Sequence, residues 1–121
     1  MGIRPERIAS EMREIISTII VEEIKDPRIG FITITRIEVT PDIRNAKVYF
    51  SCLGDKKEKD YATEGLNSAS GYIRKNLGEK MRFKFVPELL FRLDESSEYS
   101  IHLNEIFDKI HKEKDNKNEP A

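Results

Sequence analysis

The chain has 121 residues, of which 36% are charged and 38% apolar, with 21 Lys plus Arg set against 22 Asp plus Glu. That length supports one domain with a real core and leaves no room for a second. A formal net charge of −1 excludes a strong, indiscriminate polyanion binder. The charge is nevertheless uneven. Glu95 to Ala121 holds seven acids and four bases, so the preceding residues carry the positive excess. This suits a protein that turns one basic face to a particular partner.

Met1-Gly2-Ile3-Arg4-Pro5 leads directly into a charged helix, so no signal peptide is expected. Pro5 suits a first helical turn, and Ile8, Met12, Ile15, Ile16, Ile19, Ile20 and Ile24 follow at helical spacing. The run Ile15 to Val21 contains Ser17 and Thr18 and is far too short to span a bilayer, so no membrane association is expected. Asp26-Pro27-Arg28-Ile29-Gly30 ends the helix, because proline cannot continue the hydrogen-bond ladder and glycine permits a turn. Phe31 to Thr40 reads as a strand whose apolar phase shifts between Ile32/Ile34 and Ile37/Val39, the mark of a bulge or strong twist. Arg44 to Leu53 alternates cleanly as a second strand.

Gly54 to Asp60 reads as a polar loop, followed by a helix from about Tyr61 and another that runs to Lys80. A third strand spans about Phe83 to Leu93, with Phe83, Phe85, Leu89, Phe91 and Leu93 on one face. Pro87 within it argues for an edge or a bulge. Ser96-Ser97-Glu98 supplies a cap for a last helix carrying Ile101, Leu103, Ile106, Phe107 and Ile110. Residues 112–121 are polar and expected to be disordered, leaving residues 1–111 as the domain. The expected architecture is α+β, a three-stranded sheet with helices packed on one face.

Groups that would support catalysis are scarce. Cys52 is the single cysteine, which excludes an intrachain disulfide and suits a reducing compartment. Its place in the series Ala46, Val48, Phe50, Cys52 makes it a buried hydrophobe rather than a nucleophile. His102 and His111 lie nine residues apart without partners at metal-ligand spacing, as surface histidines do. There is no phosphate loop, dinucleotide fingerprint or nucleophile elbow. Asp26, Asp42, Glu88 and Asp94 sit near element ends, where turn and capping duty accounts for them. Neither an enzyme, a metal site nor a cofactor is expected.

Binding is better supported. Leu66 to Leu77 reads as a helix interrupted by Ala69, Ser70 and Gly71, three small residues that allow a kink and a close approach. The amides of the helix that restarts there favour an anion such as phosphate. Arg74, Lys75, Lys80, Arg82 and Lys84 follow as the expected phosphate-contacting surface, with Arg4, Arg7, Arg44 and Lys47 in support. The plainer reading, a glycine cap between two short helices with a solvated basic face, has equal weight on these residues alone.

The order α-β-β-α-α-β with a small-residue break resembles the type II KH domain, a single-stranded RNA-binding fold, but Ala69-Ser70-Gly71 replaces its G-x-x-G loop. That departure is similar to the ribosome-binding factor A family. So are Arg4-Pro5-x-Arg7-Ile8-Ala9-x-x-Met12, Asp26-Pro27-Arg28-Ile29-Gly30-Phe31-Ile32-Thr33, Ala46-Lys47-Val48-Tyr49-Phe50, Ala69-Ser70-Gly71-Tyr72-Ile73-Arg74 and Pro87-Glu88-Leu89-x-Phe91, in colinear order over roughly residues 4 to 110. The resemblance implies a cytoplasmic, monomeric, noncatalytic assembly factor. Such a factor binds the small (30S) ribosomal subunit and 16S rRNA and assists maturation of the rRNA 5′-end region, most of all in the cold. It further implies release by a ribosome-associated GTPase. The alternative is a degenerate KH fold that serves as a protein-interaction module without touching RNA.

Overall fold

A computed structural model of the chain describes residues 5–95, 101–102 and 105–110. Helix α1 (Pro5–Glu23) starts on its proline, whose missing N–H costs nothing in a first turn. It buries Ile8, Met12, Ile16, Ile19 and Ile20 along one stripe, while Ile15 and Ile24 pack at the margin. The chain then turns at Asp26, whose carboxylate accepts the backbone N–H of Arg28 at 2.9 Å and its guanidinium at 2.7 Å. This turn places Ile29 in the core and ends at Gly30, with φ of +53°.

Strands β1 (Ile32–Val39) and β2 (Asn45–Cys52) pair antiparallel. Ile34 faces Phe50 but Arg36 faces Tyr49, so Thr35 is the extra residue of a bulge. That insertion explains the phase shift in the sequence and lets both Ile34 and Ile37 enter the core. Thr35 uses its hydroxyl to donate to the buried Asp94 carboxylate at 2.7 Å. Strand β3 (Glu88–Leu93) runs parallel to β2 and completes a mixed sheet in the order β1-β2-β3. The central strand sends Ala46, Val48, Phe50 and Cys52 into the same apolar cluster as the α1 stripe.

Helices α2 (Lys56–Ser68) and α3 (Ser70–Lys80) meet at Ala69 alone. Hydrogen bonding continues through the break: the Ala69 N–H donates to Gly65 and Leu66, and its carbonyl accepts Ile73. The kink expected from the sequence is present. Helix α2, however, begins five residues before the expected Tyr61, so Lys56 to Asp60 is helix and not loop. That stretch has no apolar residue and therefore no periodicity to read. Its start is written instead in Asp55, which accepts the Glu58 N–H at 2.8 Å as an N-cap.

The third strand also departs from expectation, because residues 83–87 are not strand. Arg74 of α3 donates to the carbonyls of Val86 and Pro87, both at 2.9 Å, and Pro87 has no N–H for a ladder. Pairing starts only at Glu88, and Phe85 points outward, 63% exposed, instead of joining the core face. On the outer edge of β3, Asn67 of α2 satisfies both groups of Phe91, donating to its carbonyl at 3.2 Å and accepting its N–H at 3.0 Å. An edge strand covered this way resists pairing with another chain.

Residues 101–102 and 105–110 are helical, yet Ile101, Ile106 and Ile110 are exposed and only Phe107 is half-buried. The apolar face expected there is therefore largely uncovered. The expected cap at Ser96-Ser97-Glu98, Leu103, His111 and the 112–121 tail lie outside the described residues.

Candidate nucleic-acid interface

Three parts of the chain meet at one corner of the sheet. The start of α1 contributes Ile8, the β1–β2 turn contributes Asp42, Ile43 and Arg44, and the segment before β3 contributes Arg82, Phe83, Lys84 and Phe85. They line a groove of about 380 Å³. The turn is firmly built. Thr40 donates its hydroxyl to Asp42 at 2.7 Å and accepts the Asn45 N–H at 3.1 Å, while Asp42 also accepts the Arg44 N–H at 3.1 Å. These bonds hold the Asp42 carboxyl below the ordinary carboxylate range, the Thr40 hydroxyl contributing most, so it stays ionised. Ile43 sits at φ +59°, a left-handed conformation that costs a β-branched residue roughly 1–2 kcal/mol.

The groove continues along α1 and α3 into a second one of about 340 Å³, lined by Ile8, Glu11, Glu14, Ile15, Lys80, Met81, Arg82 and Phe83. Of the basic residues expected at the site, Arg44, Lys80, Arg82 and Lys84 therefore share one continuous surface. Arg7 is exposed beside Ile8, and Lys75 is exposed on α3. Lys47 lines a different cavity, of about 460 Å³, with Glu38, Val39, Thr40, Glu88 and Leu90 at the same end of the sheet. Arg4 lies outside the described residues.

Arg74 does other work. Its two carbonyl bonds and an ion pair with Glu88 at 3.4 Å engage the guanidinium in joining α3 to β3. The kink stands apart as well: Ala69, Ser70 and Gly71 open α3, while Lys80 closes it, roughly 15 Å away at 1.5 Å per residue. A Cβ built on Gly71 meets nothing within 4 Å, so the expected tight packing is absent there. The close approach falls on Gly65, where a Cβ would sit 2.9 Å from Ile29 Cγ1, and on Gly78, 2.8 Å from Val86 Cγ2. The helical phase past Ala69 turns Gly71 to solvent while Gly65 faces the 26–30 turn. Sequence reading missed Phe85 by assigning it to a strand face. The clue was its place in Arg82-Phe83-Lys84-Phe85, aromatics interleaved with bases.

Other chemistry has little material. Burial pushes the Cys52 thiol up and away from reactivity. His102 is exposed. Among the described residues, no cluster of His, Cys, Asp and Glu is arranged to hold a metal, and no helix is long and apolar enough to cross a membrane.

The family model for ribosome-binding factor A matches residues 4–107. The chain belongs to the ribosome-binding factor A family. It is 45% identical to the ribosome-binding factor A of Halothermothrix orenii over 116 residues, 96% of this chain and 95% of that one. With the Staphylococcus epidermidis ribosome-binding factor A it shares 43% identity over 111 residues, 92% and 96% of the two chains. The solution structure of a putative ribosome-binding factor A from Thermotoga maritima superposes with a TM-score of 0.68 at 31% identity, covering 80% of this chain and 96% of that one. A Thermus thermophilus ribosome-binding factor A, fitted as a homology model into a cryo-electron microscopy map of its 30S complex, shares the fold at a TM-score of 0.64. It is 18% identical and covers 76% and 97% of the two chains. In this member of the ribosome-binding factor A family, the Asp26 to Thr33 run forms the turn that docks on Gly65 and the first two residues of β1. In the Pro87-Glu88-Leu89 run, Arg74 clasps the Pro87 carbonyl and the Glu88 carboxylate.

Proposed function

We propose that this chain binds the small ribosomal subunit by laying 16S rRNA backbone along the groove of Arg44, Lys80, Arg82 and Lys84. The observation that carries the reading is the convergence of these four cations on one surface of a chain whose net charge is −1. The family membership and the Thermus relative's 30S complex support it. On this reading the KH-like fold presents an electrostatic surface without the G-x-x-G clamp. Arg4, Arg7, Lys47, Lys75 and the small-residue kink are secondary contacts.

The protein acts stoichiometrically in the cytoplasm as a monomer. It favours one rRNA conformation through differential affinity and assists maturation of the 16S 5′-end region, with the largest effect in the cold. A ribosome-associated GTPase supplies the energy for its release.

Co-sedimentation with purified small subunits across a salt series tests the surface. Arg82→Glu with Lys84→Glu should lower affinity and flatten the slope of log affinity against log salt by about 0.7–0.9 for each lost phosphate contact. Unchanged affinity and slope would move the RNA surface elsewhere. In cells, deletion should slow growth most at low temperature and leave unprocessed 5′ ends. Mature ends and normal subunit profiles in the cold would favour the protein-interaction alternative.

A further inference from the structure

We propose that Phe85 is a stacking platform for an unpaired nucleobase of the bound RNA, with the neighbouring cations holding the phosphates on either side of that base. The inference rests on the RNA-binding reading of the groove and specifies what enters it. Phe85 is 63% exposed although Phe83, two residues earlier, packs against the core. Its mount is rigid. The next two residues are fixed by Arg74, and Pro87 is fully buried, so the ring is held out by structure rather than left out by chance.

Two cations lie over the ring, the Arg44 guanidinium 5.6 Å and the Lys84 ammonium 6.0 Å from its centroid. Both distances lie at the outer limit of cation–π contact, so neither cation covers the ring closely. Among the described residues, Arg36 lies over the Tyr49 ring at 4.0 Å and Lys57 over the Tyr61 ring at 5.7 Å. Arg82 lines the same groove with the acid Asp42, and Glu11 and Glu14 line its continuation along α1. Beside them the strained Ile43 helps shape the apolar floor, and strain of that kind persists where the surroundings hold it.

An exposed aromatic face with two cations loosely over it matches a splayed nucleotide, whose base can take the face as its phosphates draw the cations off. Duplex RNA offers phosphates but keeps its base faces stacked inside, so it has nothing for the ring to cover. Base–aromatic stacking tolerates any sequence and adds to backbone attraction without changing the number of phosphates held. An apolar plug from a protein would use the ring but leave the three cations unanswered.

The test uses the full chain with a mixed-sequence single-stranded RNA of about 12 nucleotides, a hairpin duplex of similar length, and purified small subunits. Phe85→Ala should bind the single strand about 5- to 150-fold more weakly with an unchanged salt slope, and keep its melting temperature because the ring is exposed. Phe85→Trp should retain affinity. Since the chain has no tryptophan of its own, its emission excited at 295 nm should be quenched by the single strand and not by the duplex. Wild-type affinity in Phe85→Leu or Phe85→Ala, alongside lost binding in Arg82→Glu/Lys84→Glu, would overturn stacking and leave the RNA surface standing. Full binding in the charge-reversed chain would instead overturn the RNA surface itself. A Phe85→Ala defect seen with small subunits, with no binding of either RNA, would mean that the ring meets protein, and would also overturn the proposal.

Discussion

Gly65 and Gly71 sit six residues apart on either side of the kink, and the structure predicts opposite outcomes for filling them. Replacing glycine by leucine inside a helix gains up to about 1 kcal/mol of propensity, since leucine ranks close to alanine. At Gly71 no clash at the Cβ opposes that gain, because a new Cβ meets open space. At Gly65 the new Cβ would lie 2.9 Å from Ile29 Cγ1, 3.3 Å from Arg28 Cβ and 3.5 Å from Asp26 Oδ2. Ile29 is buried and has nowhere to retreat except outward. Overpacking costs about 1–3 kcal/mol, and exposing the isoleucine adds about 1.5–3 kcal/mol. After the propensity gain, Gly65→Leu should lose roughly 1.5–5 kcal/mol.

A domain of this size shifts its melting temperature by about 4–8 °C per kcal/mol. Thermal unfolding followed by circular dichroism should therefore show Gly65→Leu about 6 °C or more below wild type. Gly71→Leu should stay within a few degrees of wild type, or rise. Equal losses at the two sites would refute the assignment of the close approach to Gly65. The same pair separates stability from binding. If Gly71→Leu keeps its melting temperature and loses small-subunit affinity, the kink itself touches the partner.

Arg74→Ala should cost about 2–3 kcal/mol in urea unfolding, because two charge-assisted bonds to carbonyls disappear, and Arg74→Lys should recover only part of this without the planar fork. Asn67→Ala should cost about 1–3 kcal/mol by leaving the N–H and carbonyl of Phe91 unmet, and light scattering should show more self-association through the uncovered β3 edge. Cys52 should resist alkylation in the native state and react on unfolding, and rapid native modification would contradict its burial. The Arg28 side chain, followed by its backbone N–H, holds the Asp26 carboxyl below its ordinary value, so its contribution is present above pH ~4 and fades as pH falls through the depressed value. Asp26→Asn should accordingly flatten the acid limb of the stability–pH profile and leave its alkaline limb unchanged.

The legible parts of this fold are those where burial writes a period into the chain. The α1 stripe, the clean alternation of β2 and the phase slip of β1 each follow from a face that must be apolar, and the slip correctly announced the Thr35 bulge. Where a segment is set by hydrogen bonds instead, periodicity misleads. Lys56 to Asp60 is helix because Asp55 caps it. Phe83 to Pro87 alternates like a strand yet is held out of the sheet by a guanidinium from 12 residues upstream of Val86. Of the site, composition and spacing identified the basic run but not its division, since whether a cation faces solvent or a carbonyl depends on contacts that no local pattern encodes. Gly65 and Gly71 illustrate the same limit: both are glycines in helical sequence, and only the packing of Ile29 tells them apart.

That division of the basic residues bears on how the surface should be probed. Arg74 and Arg82 look equivalent in sequence, eight residues apart in one positive stretch, yet they act on different links of the chain from structure to function. Arg74 positions: by holding the carbonyls of Val86 and Pro87 it determines where Lys84 and Phe85 stand relative to Arg44. Arg82 is exposed in the groove. A charge reversal at Arg74 would therefore weaken RNA binding even if its guanidinium never met a phosphate, through a displaced Phe85 and a lowered stability. A reversal at Arg82 acts through the field alone. The melting temperature distinguishes them, because a reversal at Arg74 removes the two carbonyl bonds that join α3 to Val86 and Pro87, whereas a reversal at the exposed Arg82 leaves the fold's contacts intact.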